Sequence, residues 1–164
     1  MTGGTRNAMR VALAAGLMVT TPAAADPFEQ FGTAMKYGLP LAAAACAVDR
    51  DRLPDFALRG GLQVALVLAL KHSVVGPLGQ RPGGGGGGFP SGHAAAAGFG
   101  AADLARHCVR DSDAARIGLL GAALLAAASR VDADEHTPAQ AAAGSAIGVA
   151  LGASSFGLSW DAWF

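Results

Sequence analysis

The chain is built from long segments of Ala, Leu and Gly separated by short, charged, turn-rich punctuation, and it shows no strand-like alternation of apolar and polar residues. That pattern predicts an all-α domain. The expected helices run over Thr33–Val48, Asp55–Val74, Ser91–Val109, Asp113–Val131 and Pro138–Gly157, a helical bundle of about five helices. Between them lie "DRDRLPD", "GPLGQRPGGGGGGFP", "RDSD" and "DADEHTP", each combining turn formers with charge. With 164 residues and 52% apolar content there is material for one core but not for two, so residues 26–164 read as a single domain.

The first 25 residues have a different character. Arg6 and Arg10 precede the apolar run Val11–Val19, and Ala23-Ala24-Ala25 before Asp26 fits a small-residue cleavage site, so the segment reads as an export signal with an uncleaved anchor as the alternative. The stretches Gly60–Leu70 and Ile117–Ser129 meet charge before the ~20 residues of a comfortable span. Only the region from Thr137 to Trp160 runs that far uncharged. Membrane association and a soluble helical bundle are both compatible with this pattern, and "SWDAWF" has the aromatic character of an interfacial anchor.

Twelve basic and twelve acidic side chains cancel, and no basic stripe with interleaved aromatics appears, which argues against a nucleic-acid partner. Cys46 and Cys108 lie inside apolar, helix-like segments without metal-type spacing. Buried free thiols are the expectation.

Three clusters pair a cationic or imidazole side chain with a helix end. The first is Lys71 followed by Arg81-Pro82; the second is Pro90-Ser91-Gly92-His93; the third is Ser129-Arg130 with His136 six positions after the arginine. Ser91 is an N-cap residue, so Gly92 and His93 would present backbone N–H groups at the positive end of a helix dipole. Thr137 and Pro138 mark a second helix start beside His136. Two imidazoles, each beside a helix N-terminus, with Arg81, Arg130 and Lys71 at hand, suit phosphoryl transfer. Arginines clamp equatorial oxygens, one imidazole attacks phosphorus and the other protonates the leaving oxygen.

"RP", "PSGH" and "SR-x5-H" in this order resemble the type 2 phosphatidic acid phosphatase and vanadium haloperoxidase superfamily, over Lys71 to Gln140. The resemblance implies a helical bundle with a metal-free site that needs no cofactor. It implies His136 as nucleophile and His93 as general acid, with Lys71, Arg81, Ser91, Gly92 and Arg130 holding the phosphate. It also implies a phosphorylated lipid or small phosphomonoester as substrate, handled at the outer face of the inner membrane or in the periplasm.

Two positions depart from the family pattern. Nine residues, His72 to Gln80, separate Lys71 from Arg81, where the family has six. Gln140 stands where the family places an Asp that orients the nucleophilic histidine. Gln140 also completes a capping box with Thr137, and Asp132, Asp134 and Glu135 are the nearby carboxylates that would replace the missing charge. A vanadate-dependent haloperoxidase and a weakened or inactive phosphate-binding homologue are the alternatives to a working phosphatase. His72 and His107 read as bystanders, and the glycine run as a mobile rim that orders on ligand.

Overall fold

A computed structural model describes residues 26–74 and 76–158. The expected signal segment and the terminal "SWDAWF" lie outside the described residues. Among the described residues five α-helices form the bundle: α1 Pro27–Asp49, α2 Leu53–Ser73, α3 Gly92–Asp103, α4 Asp113–Asp132 and α5 Pro138–Ala153. A π-helical turn, Leu104–Cys108, continues α3. Among the described residues there is no strand.

Local chemistry sets the helix starts. Asp26 Oδ1 accepts the Phe28 N–H at 2.7 Å and Pro27 occupies the first helical position, so α1 begins six residues before the expected Thr33. Ser91, Ser112 and Thr137 cap α3, α4 and α5 through their hydroxyls. The segment expected as one helix over Ser91–Val109 instead changes to π geometry at Leu104, and α5 stops at Ala153, short of Gly157.

α3 is the central helix, with α5, α1 and α4 packed around it. Its closest neighbour is α5, because Gly144, Gly148 and Gly152 form a buried i, i+4 stripe against the α3 backbone at Ser91, Ala95 and Phe99. A methyl group at any of the three would meet α3 backbone atoms at overlapping distance. Small residues here let the two backbones approach as they do in membrane helix pairs. The remaining core is mostly alanine, with Leu39 and Leu104 filling the space between α1, α3 and α4.

At the end of the bundle away from Gly92, fully buried Arg59 joins three helices. Its guanidinium bonds Asp55 at 2.7 Å, Asp103 at 2.7 Å, and the carbonyls of Leu151 and Gly152 at 3.1 and 2.9 Å. Losing one partner from so buried a pair leaves an uncompensated charge, a cost of ~3–5 kcal/mol.

The cysteines correct the sequence expectation: Cys46 and Cys108 are not free thiols but form a disulfide. They are 62 residues apart, and the packing of α1 against α3 brings the end of α1 to the π-turn, a proximity that sequence spacing does not reveal. Closing a loop of that length removes on the order of 4 kcal/mol of unfolded-chain entropy.

The span expectation also changes. α5 is 16 residues long, whereas α2 and α4 are the helices long and apolar enough to cross a membrane by length and composition. Both turn apolar side chains outward, including Leu62, Val64 and Leu68 on α2 and Ile117, Leu124 and Leu125 on α4.

Candidate active site

The loop between α2 and α3 folds back on itself. Arg81 accepts the Gly84 N–H and donates its own N–H to Gly85, Gly88 donates to Gly79, and Lys71 Nζ reaches the Gly87 carbonyl at 2.7 Å. Gly84, Gly85 and Gly87 have φ values of 90, 87 and 70°, backbone that glycine adopts without strain. The long Lys71–Arg81 spacing is thus absorbed in turns, and both side chains line one cavity.

Ser91 is fully buried at the start of α3, with its Oγ accepting the Ala94 N–H at 3.4 Å and its own N–H bonded to the Gln140 carbonyl at 2.9 Å. Its hydroxyl therefore builds the helix start. The N–H groups of Gly92 and His93, the first two of the helix, have no protein acceptor among the described residues.

The six-position step from Arg130 to His136 has a direct cause. After α4 ends, the chain reverses through Asp134 at φ 52°, and the Arg130 carbonyl accepts the N–H groups of both Glu135 and His136, at 3.1 and 3.0 Å. This closure seats His136 beside the arginine that ends α4.

Gln140 is fully buried, and three backbone groups fix its orientation. Its Nε2 donates to the Leu78 and Gln80 carbonyls at 2.9 and 2.7 Å, while Oε1 accepts the Thr137 N–H at 3.1 Å. A flipped amide would set oxygen against two carbonyls and nitrogen against an N–H. Oε1 also lies 3.2 Å from His136 Nδ1, which must therefore carry the proton, leaving the lone pair on Nε2. The capping box expected from Thr137 and Gln140 is present. None of Asp132, Asp134 and Glu135 replaces the missing charge at His136: the two aspartates are exposed and Glu135 bonds Arg81 at 2.7 Å.

Arg130 is buried, and its NH1 bonds Glu29 from α1 at 3.0 Å while NH2 stands 3.9 Å from Glu135. Both arginines are thus held by carboxylates at their terminal nitrogens. Their Nε atoms are buried with no protein acceptor among the described residues, as is the Nε of Arg52 beside Asp103. Such orphaned donors are rare in folded proteins, and a water, ion or ligand completes their bonding.

A cavity of about 500 Å3 is lined by His93, His136, Lys71, Arg81 and Gly92, with Val64, Val67, Leu68 and Ala96 supplying apolar wall. Burial first, then the positive charges of Lys36, Arg130, His136 and Arg81, pushes the His93 imidazole down to about 4. His136 is also held below the ordinary imidazole value. Burial is the main cause and Lys71 and Arg81 add to it, against hydrogen bonds that the imidazole donates to Gln140 and the Gly88 backbone.

Sequence reasoning missed two participants. Lys36 lines this cavity and makes no ion pair among the described residues; its one contact is cation–π, with Nζ 4.7 Å from the Tyr37 ring centroid. Its position three turns into α1, far in sequence from every motif, gave no signal. Glu29 likewise reaches the site only because α1 packs on α4. Of the two histidines that the sequence sets aside, His72 sits at the end of α2, and His107 bonds the Ser154 carbonyl at 3.3 Å at the opposite end of the bundle.

No curated protein and no solved structure matches the chain. A family model described as PAP2 superfamily matches residues 31–164, a span that holds His93, His136 and Arg81 of this cavity together with Arg130 and Gln140. By that match over most of its length, in an all-helical bundle, the chain belongs to the PAP2 superfamily.

Proposed function

We propose that the protein is a metal-independent phosphatase that hydrolyses a lipid phosphate monoester or diphosphate through a phosphohistidine on His136. Family membership carries phosphatase-type chemistry in general. The observation that supports the specific reading is the pair of buried, acceptor-less Nε–H donors on Arg81 and Arg130, beside a histidine whose tautomer leaves Nε2 free to attack.

In this reading His136 Nε2 donates its lone pair to phosphorus, the bond from phosphorus to the ester oxygen breaks, and His93 gives its proton to the departing oxygen. Water then attacks the phosphohistidine, His93 takes the water proton, and the P–N bond breaks to release inorganic phosphate. Arg81, Arg130, Lys71 and the Gly92 and His93 N–H groups hold the equatorial oxygens. The apolar wall of Val64, Val67 and Leu68, continuous with the outward apolar face of α2, supports a lipid as the substrate body and a site at a membrane. A disulfide supports an exported, oxidising location, with residues 1–25 as signal and residues 26–164 as the domain.

Gln140 supports slow turnover rather than inactivity. In serine proteases, replacing the triad Asp by Asn costs ~10⁴ because the imidazole takes the wrong tautomer. Here the tautomer is kept, and only the charge that would stabilise the phosphohistidine cation is absent.

The test is phosphate release from a panel of lipid monophosphates, lipid diphosphates and soluble monoesters, with His136→Ala as control. Release from lipids that disappears in the variant is the expected result. Release that survives His136→Ala, or none from any substrate, overturns the reading.

A further inference from the structure

A second cavity, of about 650 Å3, lies at the opposite end of the bundle, between the start of α4, the end of α5 and the π-turn. It is about 20 Å from His93, thirteen residues along the α3 axis to Arg106 at 1.5 Å each. Its floor is apolar, formed by Ala102, Leu120, Val149 and Ala153. Its rim carries three arginines, Arg106 from the π-turn, Arg110 from the following loop and Arg116 from α4, with His107, whose imidazole burial holds below its ordinary value, beside them. No acidic side chain lines it, and of the three arginines only Arg116 has an ion pair, to exposed Asp113 at 3.0 Å.

The rim is built on a fixed base. The π-turn, a geometry that recurs at functional sites, is tied to α1 by Cys46–Cys108 and begins directly after Asp103, which is buried against Arg59 and Arg52. His107 is held in place by the Ser154 carbonyl. Neighbouring α4 turns Ile117, Leu124 and Leu125 outward, so the apolar floor continues onto an apolar outer surface.

We infer that this groove is a second binding site, separate from the histidine cavity, for one anionic phospholipid: the rim arginines take the headgroup phosphate and the groove floor takes the first part of an acyl chain. Charge complementarity selects the occupant. A basic pocket between apolar helices recognises an anionic headgroup, whereas a zwitterionic one brings its own cation to the same arginines. The inference does not depend on the proposed hydrolysis.

The full chain in neutral detergent is titrated with short-chain phosphatidylglycerol, short-chain phosphatidylcholine and inorganic phosphate, reading the shift of the thermal midpoint. Phosphatidylglycerol should give a saturable rise that neither of the others reproduces. Replacing all three rim arginines, R106Q/R110Q/R116Q, should weaken it on the order of a hundredfold. Val149→Trp, which fills the floor, should weaken it without removing charge. Arg130→Ala, at the other end, should leave it unchanged. Equal response to phosphatidylcholine, equal response to inorganic phosphate, unaltered binding by both groove variants, or loss of binding in Arg130→Ala each overturns the inference.

Discussion

His136 Nδ1 and Gln140 Oε1 lie 3.2 Å apart, and the glutamine's other end is anchored on the carbonyls of Leu78 and Gln80. Both carbonyls belong to the segment that lengthens the Lys71–Arg81 spacing. The two departures from the family pattern therefore meet in space. A longer loop brings two backbone acceptors to the partner of His136, and a neutral amide, unlike a carboxylate, can donate to them.

Exchanging this amide for the family's carboxylate separates rate from stability. Gln140→Asp restores a negative partner for the imidazolium but is too short to reach Leu78 and Gln80, leaving two acceptors unpaired. We expect turnover to rise about tenfold, from replacing a neutral by a charge-assisted hydrogen bond, and stability to fall by ~2 kcal/mol. Steady-state kinetics and urea unfolding on the same preparations check this. An unchanged or lower rate means that Gln140 does not limit catalysis.

The depressed histidines predict an acid optimum. Attack needs His136 unprotonated, and departure needs one proton at His93. Because the empty site holds His93 at about 4, that proton must arrive with substrate, as the phosphate monoanion whose second pKa is ~6. The kcat/KM profile should therefore peak in the acid range and fall about tenfold per pH unit above ~6. Stability runs the other way. Both histidines titrate below ~6.5 in the folded protein, so the unfolded chain binds more protons below that pH. Their contribution is present above ~6.5 and is lost as pH falls toward the folded values. A profile flat to pH 8 contradicts the assignment of His93.

Lys36 predicts a preference between substrates. It lines the same cavity as His93, and after burial its charge is the main cause of the lowered His93 imidazole, so in the proposed reaction it acts on the group that His93 protonates. For a lipid diphosphate attacked at its outer phosphorus, the leaving group is itself a phosphate. Lys36→Met should lower kcat/KM for diphosphates about tenfold, the worth of one charge-assisted hydrogen bond, and change monophosphates less than about twofold. Equal losses for both classes would show that Lys36 acts only through the general field of the site.

Much of this was legible in the sequence for physical reasons. Helix segments announced themselves through unbroken small and apolar runs and through caps at Ser91 and Thr137, and the site motifs sit at those two caps. What the sequence withheld came from packing between distant segments. Cys46 meets Cys108, Glu29 meets Arg130 and Lys36 comes to line the cavity of His93 only once α1 lies against α3 and α4, and no local pattern encodes that approach. The π-turn escaped for a different reason: "LARHC" is as compatible with α-helix as with the wider turn.

The glycine run provides the last prediction, because its six residues are not equivalent. Gly84, Gly85 and Gly87 adopt positive φ, where a side chain costs ~1–2 kcal/mol per position. Gly83 and Gly86 do not, and a methyl group at either would meet nothing within 4 Å. At Gly88 a methyl group would stand 2.7 Å from Gln140 Nε2 and push on the amide that orients His136. G83A/G86A should therefore match wild type in rate and melting. G84A/G85A/G87A should loosen the turns that seat Lys71 and Arg81 and raise KM about tenfold or more, with little change in melting because the loop does not build the helical core. Under the proposed mechanism Gly88→Ala should instead lower kcat at nearly unchanged KM, since it displaces the partner of His136 and not Lys71 or Arg81. If all three variants behave alike, the run is a plain tether whose individual conformations carry no weight in catalysis.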